Sequence, residues 1–108
     1  HAANEPALDD NQKLSALSDA QLGALCDWSN AAQGGYDKKI LCTDGVTSVP
    51  TQKDQAACKA EDGPVLKKCD QTVATYKACT LRLAPDPCDT TNGLTSKECL
   101  PLLPCLVP

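Results

Sequence analysis

Eight cysteines in a chain of 108 residues constrain this sequence more than any other feature. They are Cys26, Cys42, Cys58, Cys69, Cys79, Cys88, Cys99 and Cys105, and no two stand at the C-x-x-C spacing that zinc and thioredoxin-like sites use. His1 is the only histidine, so a structural zinc lacks ligands as well as spacing. An even number of cysteines spread through a short chain reads as four disulfides formed in an oxidising, extracytoplasmic compartment. The chain needs them. Leu, Ile, Val and Phe together number 20 of 108 residues, with no Phe, at the edge of the composition that folds on burial alone. Each bridge adds about 2–4 kcal/mol, largely by restricting the unfolded chain. Eight cysteines allow 105 pairings. If Cys69 and Cys79 share a helix, ten residues of rise part them by about 15 Å, beyond bridging distance, so each pairs elsewhere. The expected set is Cys26–Cys69, Cys42–Cys58, Cys79–Cys88 and Cys99–Cys105.

The expected fold is a mainly α, small disulfide-rich helical domain of three to four short helices with one short β-hairpin. Residues 1–13 read as a polar, acidic arm and 14–108 as a single stapled domain. Ser18 and Gln21 form a capping-box pair, with Leu17 and Leu22 as a hydrophobic staple, so a helix starts there. Leu22, Leu25, Cys26, Ser29 and Ala32 make its inner face, Asp19, Asp27 and Asn30 fall toward solvent, and Gly34-Gly35 ends it. Residues 38–49 place β-branched residues around Asp44-Gly45, the composition of a two-residue type I′ hairpin turn. Thr51 is expected to cap a second helix running to about Lys59, and Pro64 to open a third after Gly63. The third carries an apolar stripe of Val65, Leu66, Cys69, Val73, Tyr76 and Leu83, and stops before Pro85. Leu94, Thr95 and Glu98 repeat the staple and capping-box pattern for a short last helix carrying Cys99.

The formal net charge is −4, and all of it lies within the first 30 residues, where Glu5, Asp9, Asp10, Asp19 and Asp27 face only Lys13. Lys38, Lys39, Lys67 and Lys68 are offset by Asp37 and Asp70, and Arg82 is the single arginine, so nucleic-acid binding is disfavoured. Neither GxSxG nor HExxH occurs, and cysteines held in bridges are not nucleophiles, so no catalytic residue is assigned. Glu61, Asp62 and Glu98 are the carboxylates available for acid–base work, but they read as loop or helix-start residues. His1 at a free amino end would chelate copper only adventitiously, without the further histidine that oxidative copper chemistry uses; no cofactor or metal is expected. No run of residues is long and apolar enough to span a membrane. Residues 1–12 lack the apolar centre of a secretory signal, so any export signal is expected to have been removed.

Trp28, Tyr36 and Tyr76 are the whole aromatic complement. Trp28 and Tyr76 are expected to fill the core; in the alternative, Trp28 and Tyr36 form a stacking platform for a saccharide. The tail carries more apolar side chains than one short helix buries, so they either complete the core or leave a patch for another molecule. Leu100, Leu102, Leu103, Leu106 and Val107, with Trp28 and Tyr36, form the candidate interaction surface.

Cys26-Asp27-Trp28, Gly34-Gly35-Tyr36, the hairpin Cys42 and the run Cys99-Leu-Pro-Leu-Leu-Pro-Cys105 resemble small cysteine-rich exported proteins of Gram-negative soil bacteria. The resemblance spans residues 17 to about 106 and implies export, with lipoprotein-like or extracellular placement, and no activity. The functional expectation is a non-enzymatic exported structural or interaction module, secreted or at the cell surface. It contacts a protein partner or itself, for example as a subunit of a filament. A lipid- or saccharide-binding module and a secreted inhibitor or effector are the alternatives.

Overall fold

The computed structural model describes residues 8–106, apart from the side chain of Thr90. It is a small disulfide-rich helical domain with one two-stranded antiparallel hairpin. After a 3₁₀ turn at Leu14–Ala16 come α1 (Asp19–Ala32), β1 (Lys39–Leu41), β2 (Ser48–Pro50), α2 (Gln55–Leu66), α3 (Val73–Leu83) and α4 (Thr90–Leu94). A second 3₁₀ turn, Leu100–Leu102, leads into α5 (Leu103–Leu106).

Helix α1 starts as its sequence dictates. Ser18 Oγ accepts from the Gln21 amide at 3.1 Å, and Gln21 Oε1 accepts from the Ser18 amide at 3.0 Å. Leu22, Leu25, Cys26 and Ser29 are buried as expected, together with Gly23 and Ala24; Asp27 and Ala32 are half-buried, and Asn30 is only 2% exposed rather than solvated. The Asn30 side chain is held inside because Nδ2 donates to Cys26 O and to Gln52 Oε1, crossing from α1 to the entry of α2. Gly34 and Gly35, both at positive φ, end the helix.

The hairpin pairs Lys39 with Pro50, Ile40 with Val49 and Leu41 with Ser48. Its turn differs from the expected type I′. Only Gly45 takes positive φ, at 75°, and the Gly45 amide donates to Cys42 O. The Asp44 carboxylate accepts from the amides of Val46 and Thr47 and from Thr47 Oγ, so side-chain hydrogen bonds close a wider loop than the dipeptide needs.

Three helix boundaries correct the sequence reading. Thr51 is no cap: its hydroxyl donates to Gly35 O and accepts from the Lys38 amide, pinning the hairpin base. Asp54 caps α2 instead, accepting from the Ala57 amide. Helix α2 then runs straight through Gly63-Pro64. Gly63 is buried so closely on Leu22 that an added Cβ would sit 3.1 Å from its Cδ2, and Pro64, in the last turn, forgoes only its own amide bond to the turn before it. Burial of Leu66 thus overrides the local breakers, and Cys69 and Cys79 do not share a helix. Helix α3 starts at the Thr72 cap, and its free amides at Val73 and Ala74 donate to the carbonyls of Gln12 and Asp10. It ends before Pro85 as expected. Thr95 closes α4 rather than opening a later helix, because its hydroxyl turns back to donate to Thr91 O. Asn92-Gly93 lies inside α4, where a Cβ at position 93 would collide with Leu83.

The bridges are Cys26–Cys58, Cys42–Cys88, Cys69–Cys105 and Cys79–Cys99, so all four expected pairings are corrected. Cys58 faces α1 and not the hairpin. Cys79 faces inward from α3, while Cys88 lies beyond the turns at Pro85–Pro87 and meets the hairpin. The core gathers Leu14, Leu22, Leu25, Leu66 and Val73 around Cys69, Cys79 and Cys99, with Leu102 supplied by the tail. Trp28 and Tyr76 pack half-buried against it, which agrees with their space-filling reading.

Candidate functional site

Among the described residues the packing leaves a mainly apolar cavity of about 260 Å³. Continuity of α2 through Pro64 puts Asp62, Val65 and Leu66 on one face. Helix α3 presents Tyr76, Cys79, Thr80 and Leu83 at helical spacing, and Leu94 closes one end from α4. Leu102, Cys105 and Leu106 form the wall on the C-terminal side. Much of the expected stripe, namely Val65, Leu66, Tyr76 and Leu83, therefore borders this cavity, while Leu66, Tyr76 and Leu83 also pack in or against the core.

Four polar side chains reach this wall: Asp62, Tyr76, Thr80 and Gln33. Burial raises the Asp62 carboxyl above the ordinary carboxylate range; the Gln52 amide opposes the shift and neighbouring Glu61 adds to it. Oδ2 of Asp62 lies 3.5 Å from Cys58 Sγ, a packing contact, since a disulfide sulfur has no proton to donate. Burial likewise raises the Tyr76 phenol, against the effect of hydrogen bonding to Ser29 and Thr80. Behind them, Asn30 Oδ1 is buried with no hydrogen-bond partner among the described residues. Cys26, Cys58 and Asp62 place ligand-type atoms within 4.8 Å of one another, but the joined sulfurs leave Asp62 as the one anionic donor.

A second recess, open and polar, lies at the Cys42–Cys88 bridge, with Asp44, Asp86 and Asp89 around it. Two of these carboxylates already serve the chain: Asp44 holds the hairpin loop, and Asp89 caps α4 through the Asn92 amide.

The candidate interaction residues are dispersed. Leu102 is buried in the core, Leu103 is half-buried, and Leu100 and Leu106 are each 49% exposed; Val107 lies outside the described residues, as does His1. Trp28 carries the Lys77 ammonium 5.3 Å from its ring centroid, and Lys77 also pairs with Asp10. The Tyr36 hydroxyl donates to Asp27 Oδ1 at 2.7 Å; burial, then that bond, pushes its pKa far up. Neither Trp28 nor Tyr36 lines the cavity. Glu61 is exposed, Glu98 is half-buried, and Lys38, Lys39, Lys67 and Lys68 are exposed. Sequence reasoning missed Gln33, Thr80 and Leu94, and weighed Asp62 only as an acid–base group. The spacing of Asp62 to Val65 and Leu66 was the available signal, hidden by the expected break at Gly63. Compared with known protein families, curated proteins and solved structures, the chain matches none.

Proposed function

We propose that this protein is a non-enzymatic, exported binding and interaction module that takes a small apolar or amphiphilic molecule into the cavity between α2, α3, α4 and the tail. The cavity itself carries this reading: leucines that a core-poor chain needs inside are arranged around an open space, with few polar groups among them. The four disulfides, which indicate an oxidising extracytoplasmic setting, supply the rigidity that keeps such a space from collapsing. The resemblance to exported cysteine-rich proteins agrees with that placement. Titration of the oxidised protein with n-octanol, followed by amide NMR shifts, tests the reading. Saturable shifts at Leu66, Tyr76, Leu83 and Leu94 are expected, and their absence at the solubility limit rejects it.

A second reading, self-association or contact with a protein partner, is favoured by the exposure of Leu100 and Leu106 at the C-terminal edge. Light scattering coupled to size exclusion is then expected to show an oligomer that Leu100→Ser with Leu106→Ser returns to monomer. A monomer at every concentration of the unsubstituted chain rejects self-association.

A further inference from the structure

We propose that the cavity selects a short-chain amphiphile whose polar end is a cationic amine, paired with Asp62. This rests on the reading of the cavity as a ligand site and adds the chemistry of the ligand. Among the described residues Asp62 supplies the only charge in the lining, and it is half-buried. Among the described residues the side-chain ion pairs are Lys59–Asp19 and Lys77–Asp10, so no lysine answers Asp62. Lys59, on the same helix, is engaged with α1, and the exposed Lys67 and Lys68 do not line the cavity. Glu61 beside it and the net charge of −4 deepen the negative potential there, which favours a cation and repels a carboxylate.

The site is also equipped to hold an ion without stripping it bare. Burial works against the ionised Asp62 and the Gln52 amide partly offsets it, Gln52 being itself fixed by Asn30 Nδ2 at 3.0 Å. Tyr76, Thr80 and Gln33 line the same cavity. Partial exposure keeps the desolvation cost below that of a sealed ion pair, while a charge-assisted hydrogen bond is about twice as strong as a neutral one. At about 260 Å³ the cavity lies just below the size of drug-like sites, so its occupant is a short alkyl chain rather than a whole lipid.

The test titrates the oxidised full chain with n-octylamine, n-octanol and octanoate at neutral pH and equal ionic strength, by calorimetry. Octylamine is expected to bind about tenfold more tightly than octanol, with octanoate weakest. Asp62→Asn is expected to bring octylamine to the level of octanol while leaving octanol unchanged, and Glu61→Gln, outside the cavity, to keep the order. Should Asp62→Asn fail to fold, the pH titration of the Asp62 carboxyl carbon shift in the unsubstituted protein is expected to move to lower pH on adding octylamine and to stay in place on adding octanol. Equal binding of all three probes, tighter binding of octanoate, or a carboxyl titration that does not move with octylamine overturns the amine assignment and leaves the cavity reading standing. No saturable binding of any probe overturns both.

Discussion

Reduction of the four bridges tests most directly what holds this fold. The closed segments separate their cysteines by 20, 32, 36 and 46 residues, for Cys79–Cys99, Cys26–Cys58, Cys69–Cys105 and Cys42–Cys88. Chain entropy assigns them about 3.3, 3.7, 3.8 and 4.0 kcal/mol, about 15 kcal/mol together as an upper bound. A domain of this size holds roughly 5–15 kcal/mol in total, so the reduced chain is expected to be unfolded at room temperature. Far-UV circular dichroism melts and Trp28 fluorescence with and without a phosphine reductant read this directly. Loop length alone ranks removal of Cys42–Cys88 as the costlier loss. Packing reverses that order. Cys79 and Cys99 are 4% and 0% exposed, so Cys79→Ser with Cys99→Ser buries two hydroxyls, each costing about 1–3 kcal/mol if left unpaired. That pair is therefore expected to destabilise more than Cys42→Ser with Cys88→Ser in urea titrations. A cooperative melt surviving full reduction, or a ranking that follows loop length alone, refutes the reasoning.

Leu25→Ala, at a fully buried site between helices, is expected to cost about 3–5 kcal/mol by denaturant midpoint. Loss of the first helix cap in Ser18→Ala is expected to cost about 1 kcal/mol, with the loss of amide protection concentrated at Gln21 in hydrogen exchange. Gly45→Ala meets no neighbour but must hold φ near 75°, so about 1–2 kcal/mol of strain is expected in a thermal melt, and an unchanged midpoint contradicts it. Burial holds the Asp62 carboxyl above its unfolded-state value, so the folded chain binds the extra proton. Its penalty is present at neutral pH, shrinks as pH falls through the folded pKa, and is gone below the unfolded one. Asp62→Asn is accordingly expected to gain less stability than the unsubstituted chain over that acid window, measured by urea midpoints; an equal gain contradicts it.

The local chemistry of this chain was most legible where one short segment settles its own hydrogen bonds. Ser18 and Gln21, the glycines at 34 and 35, and the stop before Pro85 all belong to that kind. What escaped was decided by partners distant in sequence. Gly63-Pro64 reads as a breaker until Leu22 is seen resting against Gly63. Thr51 and Thr95 both look like caps, yet their hydroxyls bond to Gly35 O and Thr91 O. Asn30 reads as solvated because Gln52, its partner, is 22 residues away. The cysteine pairing and the cavity depended on these same crossings. A misplaced break at Gly63 split Asp62 from the apolar residues it accompanies.

The interleaving of the bridges reaches beyond folding stability. Cys42–Cys88 overlaps the segment closed by Cys26–Cys58 on one side and those closed by Cys69–Cys105 and Cys79–Cys99 on the other. Every peptide bond between Cys26 and Cys105 is thus straddled by at least one sulfur link. A protease that clips the molecule once anywhere in that stretch releases no fragment, and the nicked chain keeps its mass, plus one water, until its sulfurs are reduced.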